Sequence, residues 1–122
     1  MANEVARLTV YQFAQHVLTP ERKQSLWRAL PRHVRPDAFE RALYSAMMQN
    51  PDLLDCHPSL VFREVAKAAG SGLLLDPDFG EAYIVVRWNR RTGKADLPNL
   101  QRGYRGLLKL VRQSGEIADV YA

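Results

Sequence analysis

Seven prolines set the layout of this chain, because each removes a backbone donor and fixes one dihedral, so helices begin just after them or stop at them. Thr19-Pro20-Glu21 is a helix start: a capping hydroxyl, a proline in the first turn, then an acid. That helix carries Leu26, Trp27 and Leu30 and is expected to stop near Pro31. Arg35-Pro36-Asp37 opens the next, with Phe39, Leu43, Ala46 and Met47 as its apolar stripe and Asn50-Pro51 as its end. A further helix follows Pro58-Ser59, with Val61, Val65, Ala68 and Ala69 on one face and Gly70 and Gly72 as candidate C-terminal caps. Ahead of all three, Val10, Phe13, Ala14 and Val17 share helical spacing.

Beyond residue 72 the period changes. Asp76-Pro77-Asp78-Phe79-Gly80 is a turn sequence. Ala82 to Trp88 is rich in β-branched and aromatic residues and reads as a strand, with Ile84, Val86 and Trp88 facing one way and Tyr83, Val85 and Arg87 the other. Asn89 to Gly93 is a polar turn, Ala95 to Arg102 the returning strand, and Pro98 makes that strand an edge or gives it a bulge. Gly103 leads into a last helix, Tyr104 to Gln113, closed by Ser114-Gly115, in which Leu107, Leu108 and Val111 are expected to face a core. Arg105, Lys109 and Arg112 fall at i, i+4 and i+7, on one face of it. Ile117 to Ala122 reads as the start of another strand, and a strand needs a partner, so more chain is expected to follow. The fold class is therefore α+β: several N-terminal helices, a β-hairpin and a following basic helix.

With 47% hydrophobic and 25% charged residues the chain reads as folded rather than disordered, and 122 residues suffice for a core without disulfide staples. Cys56 is the only cysteine, so no internal disulfide exists, which fits a reducing cytosol. Met1-Ala2-Asn3-Glu4 lacks the basic start and apolar run of a signal peptide, and no stretch approaches the roughly 18 apolar residues of a membrane span. A soluble cytoplasmic protein with no membrane association is expected.

Charge is unevenly spread. Residues 1–81 hold nine Lys/Arg against ten Asp/Glu. Residues 82–113 hold eight basic residues, Arg87, Arg90, Arg91, Lys94, Arg102, Arg105, Lys109 and Arg112, against the single acid Asp96. A localised basic block points to a polyanion partner, with a plain solvated face as the alternative. Tyr83, Trp88 and Tyr104 are interleaved with the cations. Cations neutralise phosphates and aromatics stack on unpaired bases at about 1–3 kcal/mol per base, a mixture that suits single strands better than duplex. Gly103 and Gly106 would let backbone approach backbone or phosphate. In the blander reading Trp88 and Tyr83 are core residues and the arginines only keep the protein soluble.

Other chemistry is poorly represented. Asp76, Asp78 and Glu81 form the one tight acid cluster, which a metal-dependent nuclease would use but which also suits a turn whose aspartates cap backbone amides. His16, His33, His57 and Cys56 lack metal-ligand spacing, no Ser/His/Asp set is defensible, and there is no Walker-type phosphate loop. No enzyme activity, metal or cofactor is expected.

Several motifs resemble one family. Leu30-Pro31-Arg32-His33-Val34-Arg35-Pro36-Asp37 with Phe39 to Leu43, and Asn50-Pro51-Asp52-Leu53-Leu54-Asp55-Cys56, resemble the opening of RecT-type phage recombinases. Ala69-Gly70-Ser71-Gly72-Leu73 and Gly80-Glu81-Ala82-Tyr83-Ile84-Val85 resemble the family's passage from helix to hairpin. The most specific stretch is Gln101-Arg102-Gly103-Tyr104-Arg105-Gly106-Leu107-Leu108-Lys109-Leu110 with Ser114-Gly115-Glu116-Ile117, similar to the family's Gly-Tyr-basic-Gly signature and the Ser-Gly that ends its helix. The resemblance covers residues 29–122, dividing the chain into an N-terminal helical segment, 1–28, and the N-terminal part of a RecT-like single-strand DNA-binding core, 29–122. Two features depart from the family: Val86-Arg87-Trp88 stands where members often carry a proline-aromatic pair, and members are longer than this chain.

The resemblance implies an incomplete RecT-like annealing fold, single-strand binding in a positive groove, and pairing of complementary strands without ATP in phage homologous recombination. It also implies homo-oligomers on DNA, an annealed duplex intermediate, and a phage exonuclease and host single-strand binding protein as partners. The family's DNA-contacting region falls on Arg87, the hairpin arginines Arg90 and Arg91, and Gln101, Tyr104, Arg105, Lys109 and Arg112; the basic pattern adds Lys94 and Arg102 as DNA contacts and Tyr83, Trp88 and Tyr104 as stacking candidates. Replacing Arg105 and Lys109 together by Glu is expected to weaken binding without unfolding the chain. The alternative function is a duplex-binding regulator with helix 104–113 in a major groove.

Overall fold

In the computed structural model, which describes residues 9–114, four helices lead into a β-hairpin and a fifth helix leaves it. The expected strand at Ile117–Ala122 and the helix-closing Gly115 lie outside the described residues.

Local capping explains the helix starts. Helix α1, Val10–Val17, opens on a capping box in which Thr9 Oγ1 accepts from the Gln12 amide at 3.1 Å and Gln12 Oε1 accepts from the Thr9 amide at 3.2 Å. Helix α2, Pro20–Ala29, is capped by the Thr19 hydroxyl, and helix α3, Pro36–Gln49, relies on its proline alone. Helix α4, Pro58–Ser71, is capped by His57, whose Nδ1 accepts from the Ser59 amide at 3.2 Å. It ends at Gly72, whose φ of 71° is the left-handed cap; Gly70, the other candidate, remains inside the helix. Short 3-10 turns at Pro51–Asp55 and Pro77–Phe79 join these elements.

One buried cluster holds them together. Phe13, Val17 and Leu26 meet Phe39, Leu43, Met47, Leu53, Val61 and Val65, so the core runs across residue 28 without a break. Arg22 ties the same segment to α4: its guanidinium donates to the carbonyls of His16 and Val17 and to Ser59 Oγ, and lies 5.0 Å over the Phe62 ring.

The hairpin, β1 Ala82–Asn89 and β2 Lys94–Arg102, is antiparallel and contributes only Ala82 and Ile84 to the buried cluster. Pairing is regular from Ala82↔Arg102 to Arg87↔Leu97, then shifts so that Trp88 faces Ala95. The extra residue is Asp96; the bulge lies there, and Pro98 is paired regularly with Val86. Both outer edges at the base of the hairpin are met by side chains. Asn50 Nδ2 donates to the Ile84 carbonyl at 3.2 Å, and buried Glu64 accepts from the Leu100 amide at 3.0 Å while pairing with Lys67. Those bonds replace strand partners that a two-stranded ribbon lacks.

Helix α5, Tyr104–Ser114, docks through its glycines. The Gly103 amide donates to the Glu81 carbonyl at 2.9 Å. A Cβ on Gly103 would collide with the Gly80 carbonyl, and one on Gly106 with the Glu81 carbonyl. The Gly-Tyr-Arg-Gly run is thus a backbone-to-backbone seam.

Candidate nucleic-acid interface

Strand alternation sorts the hairpin side chains. Tyr83, Val85 and Arg87 lie opposite Gln101, Asn99 and Leu97, so these six share the outer face. Arg87 Nε donates to Asn99 Oδ1 at 3.3 Å, and Gln101 Nε2 donates to the same oxygen. Asn99 therefore sits between two of the expected contact residues. It was not singled out in the sequence, although its period-two spacing from Gln101 placed it on that face. Arg102 pairs with Ala82, which puts it on the opposite face from Gln101, exposed at the strand end.

Toward the tip the hairpin outruns the core. Trp88, which alternation aligned with buried Ile84 and half-buried Val86, is 63% exposed. Arg87, Arg90, Arg91 and Lys94 are exposed as well. The turn is held by Asn89, whose side-chain oxygen accepts from the Arg91 amide at 3.0 Å, and by Gly93 at φ 68°. Lys94 borders a depression shared with Asp52, Asp55 and Asp96, so its field is partly cancelled, unlike that of its neighbours.

On α5 the three cations part company. Lys109 Nζ lies 3.0 Å from Glu81 Oε1 and 2.9 Å from the Gly72 carbonyl, and the same Glu81 oxygen accepts from the Leu74 amide. Lys109 is a staple between the helix and the turn before the hairpin. Arg105 and Arg112 stay exposed. Among the described residues no ion pair engages Arg87, Arg90, Arg91, Lys94, Arg102, Arg105 or Arg112. The core expectation for Leu107 and Val111 is overturned: with Gly103 and Gly106 turned to the body, both leucine and valine point to solvent beside Tyr104, and Leu110 packs against the core instead.

The Asp76, Asp78 and Glu81 cluster divides in the same way. Asp76 caps its own turn by accepting from the Asp78 amide at 3.0 Å, and Glu81 is consumed by Lys109 and Leu74. Among the described residues no three His, Cys, Asp or Glu side chains are placed to hold a metal ion, and no helix is long and apolar enough to cross a membrane. Phe79, read in the sequence only as part of a turn, is half-exposed beside α5.

The family described as RecT family matches residues 37–122. Protein RecT of Escherichia coli (strain K12) is 30% identical over 105 residues, covering 84% of this chain and 39% of that protein. The chain therefore spans well under half the length of that relative. No solved structure matches it.

Proposed function

The chain belongs to the RecT family, and from that premise we propose that it binds single-stranded DNA along its hairpin and α5 and takes part in ATP-independent annealing of complementary strands during homologous recombination. The observation that carries the reading is the set of arginines on the hairpin and α5 that, among the described residues, no ion pair engages, flanked by exposed Trp88 and Tyr104.

The mechanism follows from electrostatics. Arg87, Arg90, Arg91, Arg105 and Arg112 offer guanidinium groups to phosphates of one strand. Charge neutralised on that strand lowers its repulsion for a complementary one. Base pairing then supplies the free energy, so no covalent step, nucleotide hydrolysis or catalytic residue is required. This role belongs in the cytoplasm with the DNA. It also brings the partners of the phage reaction into the proposal: further copies of the chain on the strand, an exonuclease that exposes it, and a host single-strand binding protein that covers it.

The duplex-regulator alternative needs a recognition helix with a polar, base-reading outer face. The outward face of α5 carries Tyr104, Leu107 and Val111, which argues against it.

Fluorescence anisotropy with a labelled single strand and its matching duplex, across a salt series, tests the proposal. Tighter single-strand binding that weakens steeply with salt is expected. Preferential binding to the duplex, or affinity indifferent to salt, would overturn it.

A further inference from the structure

Between the 3-10 turn Pro77–Phe79 and α5 lies a cleft of about 660 Å³, lined by Phe79, Tyr104, Leu108, Arg105, Arg112 and the Glu81–Lys109 pair. That volume is within the range of small-ligand clefts. We propose that this cleft is a slot for one unpaired nucleobase of the bound strand, with Arg105 and Arg112 holding the adjoining phosphates. The inference deepens the single-strand reading and rests on it.

The walls have the chemistry of a base slot. Phe79 is 45% exposed and Tyr104 76% exposed, and both line the cleft, so two aromatic rings stand free where a planar group would enter. Leu108 adds apolar surface between the two arginines. The Arg105 stem runs 3.5 Å from where a Cβ on Gly80 would be, which seats this side chain against the residue that follows Phe79, and both line the cleft. Glu81, the only acid among the described residues of the lining, would repel a phosphate, but Lys109 neutralises it at 3.0 Å. The cleft thus combines aromatic and apolar surface from Phe79, Tyr104 and Leu108 with the exposed cations Arg105 and Arg112, the complement of a base on its sugar-phosphate. A paired base hides its faces in the stack, so such a slot favours a single strand over duplex.

The substitution Phe79→Ala tests the slot, with Phe79→Trp as the aromatic rescue, on two ligands of equal length: an oligo-dT and the same backbone made entirely of abasic units. Phe79 is 45% exposed and also borders Ala42 and Leu74, so a thermal melt of each variant checks the fold. Phe79→Ala is expected to lower oligo-dT affinity about 5- to 100-fold, the worth of one base stack, with an unchanged salt slope and unchanged binding of the abasic backbone. Phe79→Trp is expected to restore the affinity and, on oligo-dT alone, to show tryptophan quenching beyond that of Trp27 and Trp88 in the unsubstituted chain. Unaltered oligo-dT affinity in Phe79→Ala, or equal losses on both ligands, would overturn the slot while leaving the single-strand reading standing. Failure of the unsubstituted chain to bind either ligand would remove both.

Discussion

Lys109 and Arg105 look equivalent in the sequence, one turn apart on a basic helix, yet the structure gives them different work, and Lys109→Met against Arg105→Gln measures the difference. Lys109 donates to Glu81 and to the Gly72 carbonyl, and the paired side chains are 28% and 17% exposed. Removing one partner of a fully buried pair costs about 3–5 kcal/mol and of an exposed pair about 0–1 kcal/mol. At this degree of solvent access, with one carbonyl also losing its donor, the loss is about 2 kcal/mol. For a domain of this size that is a fall in Tm of roughly 6–10 °C. Arg105→Gln removes no ion pair and is expected to melt within about a degree of the parent, since substitutions away from such features change little. Its effect falls on DNA: the slope of log affinity against log salt on a single strand should drop by about 0.7, the value of one phosphate contact. Lys109→Met should leave that slope unchanged below its melting range. Thermal denaturation and salt-titrated anisotropy on both variants decide the matter. A Lys109→Met protein that melts normally but loses affinity and slope as Arg105→Gln does would refute the staple. It follows that the double reversal of Arg105 and Lys109 to Glu, expected from the sequence to spare the fold, would instead set a second carboxylate against Glu81 and destabilise it.

Gly106→Ala should be far more damaging than an ordinary surface change, because the added Cβ meets a backbone carbonyl that has no flexible end to move; denaturant melts should show a loss of about 3 kcal/mol or a displaced α5. Glu64→Leu should free the Leu100 amide from its acceptor and cost about 1–3 kcal/mol, read as faster hydrogen exchange at that amide than in the parent. Burial, reinforced by the fields of Asp96, Asp55 and Asp52, pushes the Cys56 thiol up to about 12 from 9.0. The unfolded chain therefore ionises first as pH rises, so this contribution to stability is intact below about pH 9 and falls by about 1.4 kcal/mol per unit above it. Cys56→Ala should flatten that alkaline decline, and an unchanged slope would count against the assignment.

Much of the architecture was legible locally. Thr19, Pro20, Pro36 and Pro58 mark helix starts and Gly72 an end, because capping and proline geometry act within one turn of chain, whereas the Thr9 capping box emerged only in the structure. The apolar stripes of α3 and α4 name their buried residues for the same reason. The basic block after residue 82 and the hairpin that carries it are likewise properties of neighbouring residues. The candidate site was only half legible. Alternation put Tyr83, Val85 and Arg87 on one face, but the register that adds Gln101 to it, the Asp96 bulge and the exposed Trp88 came only from the packed hairpin.

What the sequence determines by itself is where each element lies and which charges cluster, since those follow from spacings of a few residues. Tertiary structure alone decides which charges remain free and which surfaces remain open. Lys109 finds Glu81 28 residues away, Glu64 finds Leu100 36 residues away, and Gly103 and Gly106 bring α5 onto the turn that leaves Phe79 beside Tyr104. Neutralisation and exposure depend on distances through space between segments that no local propensity relates, and only the packed chain sets those distances.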